Sequence, residues 1–200
     1  MSSPQDLVLA SANAGKIAEL QEMLGGLGIR IVPQTELNIP DIEETGLSFV
    51  ENAILKARNA ATLSNLPAIA DDSGLEVDYL QGEPGIYSAR FAGERAGDSA
   101  NKEKLLKLMT DVPAQQRTAR YQTVIVYMRH GNDPTPIICQ GTWEGRIATE
   151  SRGDQGFGYD PIFFVTETNC HAAELDKVTK NRLSHRGKAI ANLLMQLQAP

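Results

Sequence analysis

One short segment limits the fold of this 200-residue chain more than any other. Residues 7–10 (Leu-Val-Leu-Ala) form an apolar run of strand length, and a polar turn at 11–16 follows directly. Apolar residues then recur at helical spacing, and residues 29–32 return as a second strand. A strand, turn, helix and strand in this order predict an α/β layered domain. The apolar face of this helix is expected at Ile17, Leu20, Leu24 and Leu27. Its end is expected at Gly25, Gly26 and Gly28.

Charge and cysteine content exclude several classes of function. A net charge of −6 argues against a broad electrostatic grip on nucleic acid. The longest apolar runs span only a few residues, and the first residues lack the basic and apolar regions of a secretory signal. Cys139 and Cys170 have no second ligand at metal-binding spacing, which favours reduced thiols. We therefore expect a cytoplasmic protein that binds neither nucleic acid nor a membrane.

The rest of the chain alternates between predicted strands and helices, without an internal repeat or a long linker. Ser48 and Glu51 have the spacing of a capping box, so a helix is predicted to begin there. Asp98 is placed to cap a further helix. Residues 118–129 and 136–148 are the longest strand candidates. One mixed α/β domain is the most economical prediction.

Two adjacent carboxylates, Asp71 and Asp72, follow a strand predicted at residues 68–70. They are costly to desolvate unless a cation or solvent compensates them, and Mg²⁺ suits such a pair. Gly74 would permit a sharp turn that exposes both carboxylates. The acidic loop at 40–46 offers a second arm for a metal site. An acidic surface turn explains the same residues without any metal.

The turn after the first strand is a candidate phosphate site, because backbone N–H groups at a helix start bind anions. Asn13 and Lys16 would add a side-chain donor and a positive charge. The turn is not a Walker A loop, because Ala10 and Ile17 stand where that motif needs Gly and Ser or Thr. An ordinary capped helix with an exposed lysine is the alternative.

A glycine-rich loop at 152–161 and the block Ser184, His185, Arg186 form a third candidate site. Glycines beside Phe157 would let its ring approach a planar ligand. His185 and Arg186 are donors suited to ring oxygens or phosphates. A core aromatic and a helix cap explain Phe157 and Ser184 equally well.

Together these blocks resemble the inosine triphosphate pyrophosphatases, also called dITP/XTP pyrophosphatases. The resemblance extends over nearly the whole chain, and the order and spacing of so many polar blocks make a chance match very improbable. The matching blocks are residues 11–16, 43–46, 51–57, 70–75, 84–90, 156–161, 173–175 and 184–187.

The resemblance implies Mg²⁺-dependent hydrolysis of ITP, dITP and XTP to the monophosphate and pyrophosphate. It also implies a cytoplasmic homodimer with a single ITPase-like domain over residues 1–200. That domain would be an α/β fold with an elongated, curved mixed β-sheet flanked by helices. The purine nucleoside triphosphate would lie in a central cleft between two lobes.

The same resemblance gives roles to the residues at matching positions. Glu44 and Asp72 would hold Mg²⁺, and Asp72 would also accept a proton from the attacking water. Ser73 would contact the substrate. The triphosphate would be held by Ser11, Ala12, Asn13, Ala14, Gly15, Lys16 and Lys56. The base and sugar would be received by Phe157, Gly158, Tyr159, Asp160, Lys180, His185 and Arg186.

One departure from the family pattern lies in the first turn, where Ser11, Ala12 and Asn13 replace the usual Thr-Gly-Asn. Serine keeps the hydroxyl, whereas Ala12 lacks the freedom of glycine if that position needs a positive φ. We expect an active enzyme with an altered loop.

Two other functions stay open from the residues. One is a pyrophosphatase for modified pyrimidine or methylated nucleotides, and the other is a nucleotide sensor without catalysis. Glu44 and the pair Asp71 and Asp72 argue against the sensor, because pure binding does not require carboxylates beside phosphates.

Overall fold

The structure is a computed structural model that describes residues 5–25 and 29–198. Within these residues, seven strands and five α-helices build one mixed sheet flanked by helices, as the sequence predicts. The strands are β1 (Gln5–Leu9), β2 (Ile29–Pro33), β3 (Ala68–Val77), β4 (Thr118–Met128), β5 (Ile137–Ile147), β6 (Phe163–Val165) and β7 (Cys170–His171). The helices are α1 (Ala14–Leu24), α2 (Phe49–Ser64), α3 (Asp98–Leu108), α4 (Lys177–Leu183) and α5 (His185–Gln198).

The sheet order is β2-β1-β3-β4-β5-β6-β7. β1 pairs in parallel with β2 and β3, whereas β6 pairs antiparallel with β5 and β7. The chain forms two compact units. The first takes in the described parts of Met1–Asp72, Thr123–Gln140 and Gly187–Pro200, and the second comprises Ser73–Gln122 and Gly141–Arg186.

The strands of the first unit send alternate side chains into two apolar layers. Val8 and Val124 pack with the alanine-rich face of α2. Leu9, Ile69 and Ile125 pack on the other side, with α1 and α5. A sheet that is buried on both faces explains why its strands are continuous apolar runs in the sequence.

The core of the second unit is rich in aromatic rings. Tyr121 lies 4.7 Å from Phe163 between ring centroids, and Trp143 lies 5.3 Å from the same ring. Leu105 and Met109, at the α3 end of this unit, are fully buried in the same cluster. These rings contribute a large share of the buried apolar area of this core, because each aromatic side chain is large.

Strand β3 differs from the sequence prediction. It continues without a break from Ala68 to Val77, so the turn predicted through Gly74 is wrong. Asp71 and Asp72 stay in the strand and are buried, 1% and 6% exposed. The physical reason is that each carboxylate has a lysine partner within 3 Å, which compensates the charge without solvent.

The helix boundaries mostly agree with the predicted signals. Glu51 N donates to Ser48 Oγ at 3.4 Å, which confirms that a helix begins there, and Ser48 Oγ donates to Glu51 Oε2 at 2.7 Å. Gly25 caps α1, while Gly26, Leu27 and Gly28 lie outside the described residues. β4 and β5 match the predicted strands to within one residue at each end.

The prediction for Asp98 is wrong in its role. Gly97 is the N-cap of α3, and Asp98 is the first helical residue, with no side-chain capping bond. Asp98 Oδ2 instead accepts a hydrogen bond from Gly158 N at 2.7 Å. A carboxylate at a helix start can cap the helix or accept a hydrogen bond from another segment. Asp98 does the second, with the glycine-rich loop as donor. None of the helices in the described ranges is long and apolar enough to cross a membrane.

Candidate active site

Five charged side chains of the first unit form what we call the acidic cluster: Lys16, Glu44, Lys56, Asp71 and Asp72. Lys16 Nζ lies 2.6 Å from Asp71 Oδ1. Lys56 Nζ lies 2.8 Å from Glu44 Oε1 and 2.7 Å from Asp72 Oδ1. The structure thus brings together five of the charged residues that the sequence suggests for phosphate and metal binding.

Strand geometry decides which lysine meets which aspartate. Neighbouring residues of a strand point to opposite faces. Asp71 therefore faces the layer that contains α1, and Asp72 faces the layer that contains α2. Each carboxylate meets the lysine of the helix on its own side, Lys16 or Lys56. A sequence reading that places both carboxylates on one exposed turn misses this separation.

Burial and charge oppose each other in the acidic cluster. Burial raises the pKa of Asp72, and the charges of Lys56 and Lys16 offset this only in part. Burial acts to lower the pKa of Lys56, but the charges of Asp72 and Glu44 outweigh it, so the Lys56 pKa is raised. A carboxylate with a raised pKa is a better proton acceptor, which suits Asp72 to general base catalysis.

Glu44 and Asp72 also fit a divalent cation. Their oxygens come from separate segments and contact the same cation, the Lys56 ammonium group. Mg²⁺ takes one or two carboxylates and completes its shell with water and phosphate oxygens. In the part of the chain that the structure describes, no group of three or more His, Cys, Asp or Glu converges as a metal site. Glu44 and Asp72 would supply the one or two carboxylates that Mg²⁺ takes from a protein.

Asp71 has different partners from Asp72. Its side chain is inaccessible to solvent, and Thr123 Oγ1 donates to its Oδ2 at 2.9 Å. With Lys16 on the other oxygen, Asp71 acts as an anchor for that lysine.

The turn before α1 forms the helix cap that the sequence gives as one of its two interpretations. Asn13 is the N-cap of α1, and its Oδ1 accepts from Lys16 N at 3.1 Å. Ser11 Oγ accepts from Asn13 N at 3.2 Å. Ala12 is not among the described non-glycine residues with positive φ, so it replaces the usual glycine without backbone strain. Ala12, Asn13 and Ala14 are exposed, which leaves the helix start open to an anion.

Six side chains of the second unit form what we call the aromatic cluster: Tyr121, Phe157, Asp160, Lys180, His185 and Arg186. Asp160 Oδ2 accepts from Lys180 Nζ and from Phe157 N, each at 2.9 Å. Tyr121 OH donates to Asp160 Oδ1 at 3.2 Å. Tyr121 also stacks on His185, with ring centroids 4.7 Å apart and planes 7° from parallel.

Two cations lie over the ring of Phe157. Lys180 Nζ is 5.1 Å and Arg186 Cζ is 5.9 Å from its centroid. Arg186 Nη2 donates to Ser73 Oγ at 3.1 Å, so the structure brings these two predicted residues together. Phe157 is half-buried and does not belong to the core, which leaves part of its ring for a planar ligand.

The side chain of Tyr159, one of the predicted site residues, has a hydrogen bond within the second unit. It is buried, and its OH donates to the Ser88 carbonyl at 2.8 Å. Burial raises the pKa of Tyr159, so this donor stays protonated. Its side chain stabilises the loop that carries Phe157.

Sequence reasoning missed three residues that hold the two clusters: Asp98, Tyr121 and Thr123. Tyr121 and Thr123 are polar residues at buried positions of a strand with an apolar core, and that pattern is a usable signal. Asp98 gives no such signal, because its position suits a helix start equally well.

The α/β sheet carries both the acidic cluster and the aromatic cluster. Lysines beside carboxylates suit phosphorylated ligands, and the Phe157 ring suits planar ones. The class of protein is therefore one suited to phosphorylated, planar ligands. The chain belongs to the Ham1 family, whose sequence profile matches residues 7–196. It is 58% identical over 193 residues to the dITP/XTP pyrophosphatase of Vibrio parahaemolyticus, with 96% of each chain covered. Identity to the dITP/XTP pyrophosphatase of Vibrio cholerae is 57% over 192 residues, again covering 96% of each. The resemblance drawn from the sequence blocks is confirmed.

Solved structures agree. A Ham1 protein from Coxiella burnetii matches with a TM-score of 0.89 and 51% identity, covering 96% of this chain and 98% of that one. A nucleoside-triphosphatase, or dITP/XTP pyrophosphatase, from Mycobacterium abscessus matches with a TM-score of 0.74 and 38% identity, covering 97% of this chain and 100% of that one. The expected α/β fold class is therefore confirmed.

Proposed function

We propose that this chain hydrolyses dITP, ITP and XTP to the nucleoside monophosphate and pyrophosphate, with residues 1–200 acting as one domain. Family membership and the names of the Vibrio relatives support this activity. The main supporting observation is that Glu44 and Asp72, from separate segments, both contact the Lys56 ammonium group, at 2.8 and 2.7 Å. Pure nucleotide binding gives no reason to place such carboxylates beside phosphates.

Glu44 and Asp72 are the residues that would hold Mg²⁺. When bound, Mg²⁺ supplies charge neutralisation for the leaving pyrophosphate. Asp72 accepts the proton of a water whose oxygen attacks the α-phosphorus, and the bond from that phosphorus to the pyrophosphate oxygen breaks. The bridging electrons leave with pyrophosphate, and no covalent enzyme intermediate forms. Lys56 stays charged because its pKa is raised, so it also offsets phosphate charge.

The triphosphate would lie on the start of α1. Residues 11–16 offer backbone N–H groups there, and Lys16 adds a positive charge that Asp71 keeps in place. Lys56 completes the positive charge on the other face of β3.

The aromatic cluster would receive the base and sugar. The Phe157 ring offers a stacking surface, and His185 and Arg186 are donors for a 6-oxo group. A donor that faces the 6-amino group of adenine would stay unpaired, which favours inosine and xanthosine over adenosine. The residues proposed for this part are Ser73, Phe157, Gly158, Tyr159, Asp160, Lys180, His185 and Arg186.

Pyrophosphate release from dITP, measured with Mg²⁺ and with excess EDTA, tests the proposal. We expect release that requires Mg²⁺, with kcat/KM for ITP and XTP above that for GTP and ATP. A nucleotide sensor would bind dITP without releasing pyrophosphate. Turnover confined to methylated or modified pyrimidine nucleotides in the same panel would overturn the choice of purine.

We also propose that the protein is a cytoplasmic homodimer. Light scattering after size-exclusion chromatography would test the dimer, since a single mass near 21.7 kDa would contradict it. Cell fractionation would test the location.

A further inference from the structure

The acidic loop at 40–46, which carries Glu44, is held in place by few apolar contacts. Its residues are all described in the structure, and they form neither helix nor strand. Ile42 within the loop is 38% exposed, and Leu47, the residue that follows the loop, is 84% exposed. The position of Glu44 therefore depends on polar contacts between the loop and its neighbours.

Helix α2 supplies two of these contacts from one face. Asn52 Oδ1 accepts a hydrogen bond from Gly46 N at 2.8 Å. Lys56 Nζ, four residues further along the helix, binds Glu44 Oε1 at 2.8 Å. Residues four apart in a helix lie on the same face, so Asn52 and Lys56 hold two nearby residues of one loop.

The contact with Asn52 is well protected from solvent. Asn52 is only 1% exposed, although asparagine is mostly an exposed residue in proteins. A buried amide oxygen that loses its donor is costly, and a hydrogen bond is stronger where water is excluded. Leu47 N also donates to α2, to Glu51 Oε2 at 2.9 Å, but Glu51 is exposed and water competes for its carboxylate. Asn52 is therefore the stronger of the two anchors at this end of the loop.

Gly46 lets the loop approach the start of α2 closely. A Cβ at this position would lie 2.6 Å from Asn52 Oδ1 and 2.6 Å from Glu51 Cβ. Such distances are well below van der Waals contact, so the close approach favours glycine. The backbone of the loop is thus fitted against the Asn52 side chain.

We propose that Asn52 is a positioning residue for the cation site, because it holds Gly46 and so fixes the loop that places Glu44 beside Asp72. The inference rests on the proposed function in naming Glu44 and Asp72 as the residues that would hold Mg²⁺. Asn52 acts through Glu44 and touches neither the cation nor the nucleotide. A ligand that is fixed in advance binds more tightly, because binding does not have to order it.

The first test measures the contact itself, without metal or substrate. Hydrogen exchange of the Gly46 amide is followed by NMR in the intact protein. Asn52→Leu should speed this exchange about tenfold, because leucine has a similar size but no acceptor. Asn52→Asp should keep exchange slow, because its carboxyl group keeps an oxygen at the same place. Unchanged exchange in Asn52→Leu, or equally fast exchange in Asn52→Asp, would overturn the inference.

The second test uses Mn²⁺ as the probe for the cation site. Its binding to the nucleotide-free protein is measured from the EPR signal of unbound Mn²⁺. Asn52→Leu should raise the Mn²⁺ dissociation constant about tenfold, as expected when support of a metal ligand is lost. Asn52→Asp should restore tight binding, because it keeps the acceptor and its added charge does not repel a cation. Wild-type affinity in Asn52→Leu, or no binding to the wild-type protein at millimolar Mn²⁺, would overturn the inference.

Asn59→Leu is the matched control. Asn59 lies on the same helix, and its Nδ2 donates to the Pro40 carbonyl at 3.0 Å, at the far end of the loop. The Mn²⁺ dissociation constant should change less than about twofold in this variant, because the Gly46 contact stays intact. Equal weakening in Asn59→Leu and Asn52→Leu would show that any loosening of the loop suffices, and it would overturn the assignment to Asn52.

A further variant guards against a folding defect in Asn52→Leu. Gly46→Ala keeps the Asn52 side chain but drives the loop away from it. We expect Mn²⁺ binding to weaken about tenfold here too. Wild-type affinity in a folded Gly46→Ala protein would contradict the fit between loop and Asn52.

Kinetics separate failure of the inference from failure of the proposed function. If the wild-type protein does not cleave dITP, the function is wrong, and the exchange and Mn²⁺ measurements still decide the role of Asn52. If dITP is cleaved, Asn52→Leu should raise the Mg²⁺ concentration for half-maximal rate about tenfold and leave kcat at saturating Mg²⁺ within about threefold. A merely structural role would reduce the amount of active protein without moving that concentration, and this result would overturn the inference alone.

Discussion

The acidic cluster and the aromatic cluster each contain a buried aspartate that binds a lysine and accepts a hydrogen bond from a hydroxyl group. In the first, Asp71 binds Lys16 at 2.6 Å and accepts from the Thr123 hydroxyl. In the second, Asp160 binds Lys180 at 2.9 Å and accepts from the Tyr121 hydroxyl. Each aspartate holds a lysine for a proposed ligand, and each is held by a hydroxyl from β4.

The charged groups around this aspartate–lysine pair differ between the two clusters. The acidic cluster adds two more carboxylates and one lysine, so acids outnumber bases, three to two. The aromatic cluster adds Arg186 and the Phe157 ring, so cations outnumber anions. An excess of carboxylate suits a divalent cation and proton transfer, whereas cations on an aromatic face suit a planar base. Changes in the acidic cluster should therefore lower kcat, and changes in the aromatic cluster should raise KM.

The largest effect is expected from Asp72→Asn. An amide cannot accept the proton of the attacking water, so kcat for dITP should fall about 10³-fold. The fold should survive, because the amide keeps a similar shape and can still accept from Lys56. Steady-state kinetics with circular dichroism as the folding control would check this. A kcat close to that of the wild type would remove Asp72 from the role of base.

Asp71→Asn should be the next most damaging change, and it separates an anchor from a metal ligand. Loss of the negative charge beside Lys16 should lower kcat/KM for dITP about thirtyfold, because that lysine no longer has a fixed partner. The Mg²⁺ concentration that gives half-maximal rate should stay within about twofold of the wild-type value. A large rise in that concentration would mean that Asp71 binds the metal.

Phe157→Ala tests the other side of the comparison. Removing the ring takes away the stacking surface, so KM for dITP should rise about tenfold with a smaller change in kcat. Tyr87→Ala is the control, because Tyr87 is 52% exposed and lies outside both clusters. If kcat falls and KM does not change, the division of labour between the clusters is wrong.

Local signals predicted most of the fold. The helix start at Ser48 and the strand candidates that became β4 and β5 depend on near neighbours, so a single sequence contains their signals. The continuation of β3 through Asp71 and Asp72 does not depend on near neighbours. It depends on lysines in two helices distant in sequence, and no local pattern reports such compensation.

The candidate site was predictable as a set of residues but not as contacts. The sequence blocks indicated Glu44, Lys56 and Asp72 without showing that one ammonium joins the two acids. Tyr121 and Asp98 were missed because their roles appear only when distant segments meet. Spacing along the chain cannot report hydrogen bonds between residues 39 positions apart, such as Tyr121 and Asp160.

The smallest effects should come from the two hydroxyl donors. Tyr121→Phe and Thr123→Val each remove one hydrogen bond to a buried carboxylate and keep most of the side-chain volume. Each should lower the free energy of unfolding by about 1–2 kcal/mol near neutral pH. Urea unfolding followed by fluorescence of the single tryptophan, Trp143, measures this. No loss in either variant would mean that the hydroxyls do not support their aspartates.

The loss of stability at high pH should differ between the Tyr121→Phe and Thr123→Val variants. Burial and the Asp160 charge raise the pKa of Tyr121 well above its usual value, so the folded protein requires the protonated phenol. Its contribution to stability is present below the unfolded pKa of about 10 and is lost as pH rises through the folded-state pKa. Between about pH 8 and about pH 11, wild type and Thr123→Val should lose more stability than Tyr121→Phe, which lacks the titrating group. Equal losses in all three proteins would show that Tyr121 is not a protonated donor to Asp160.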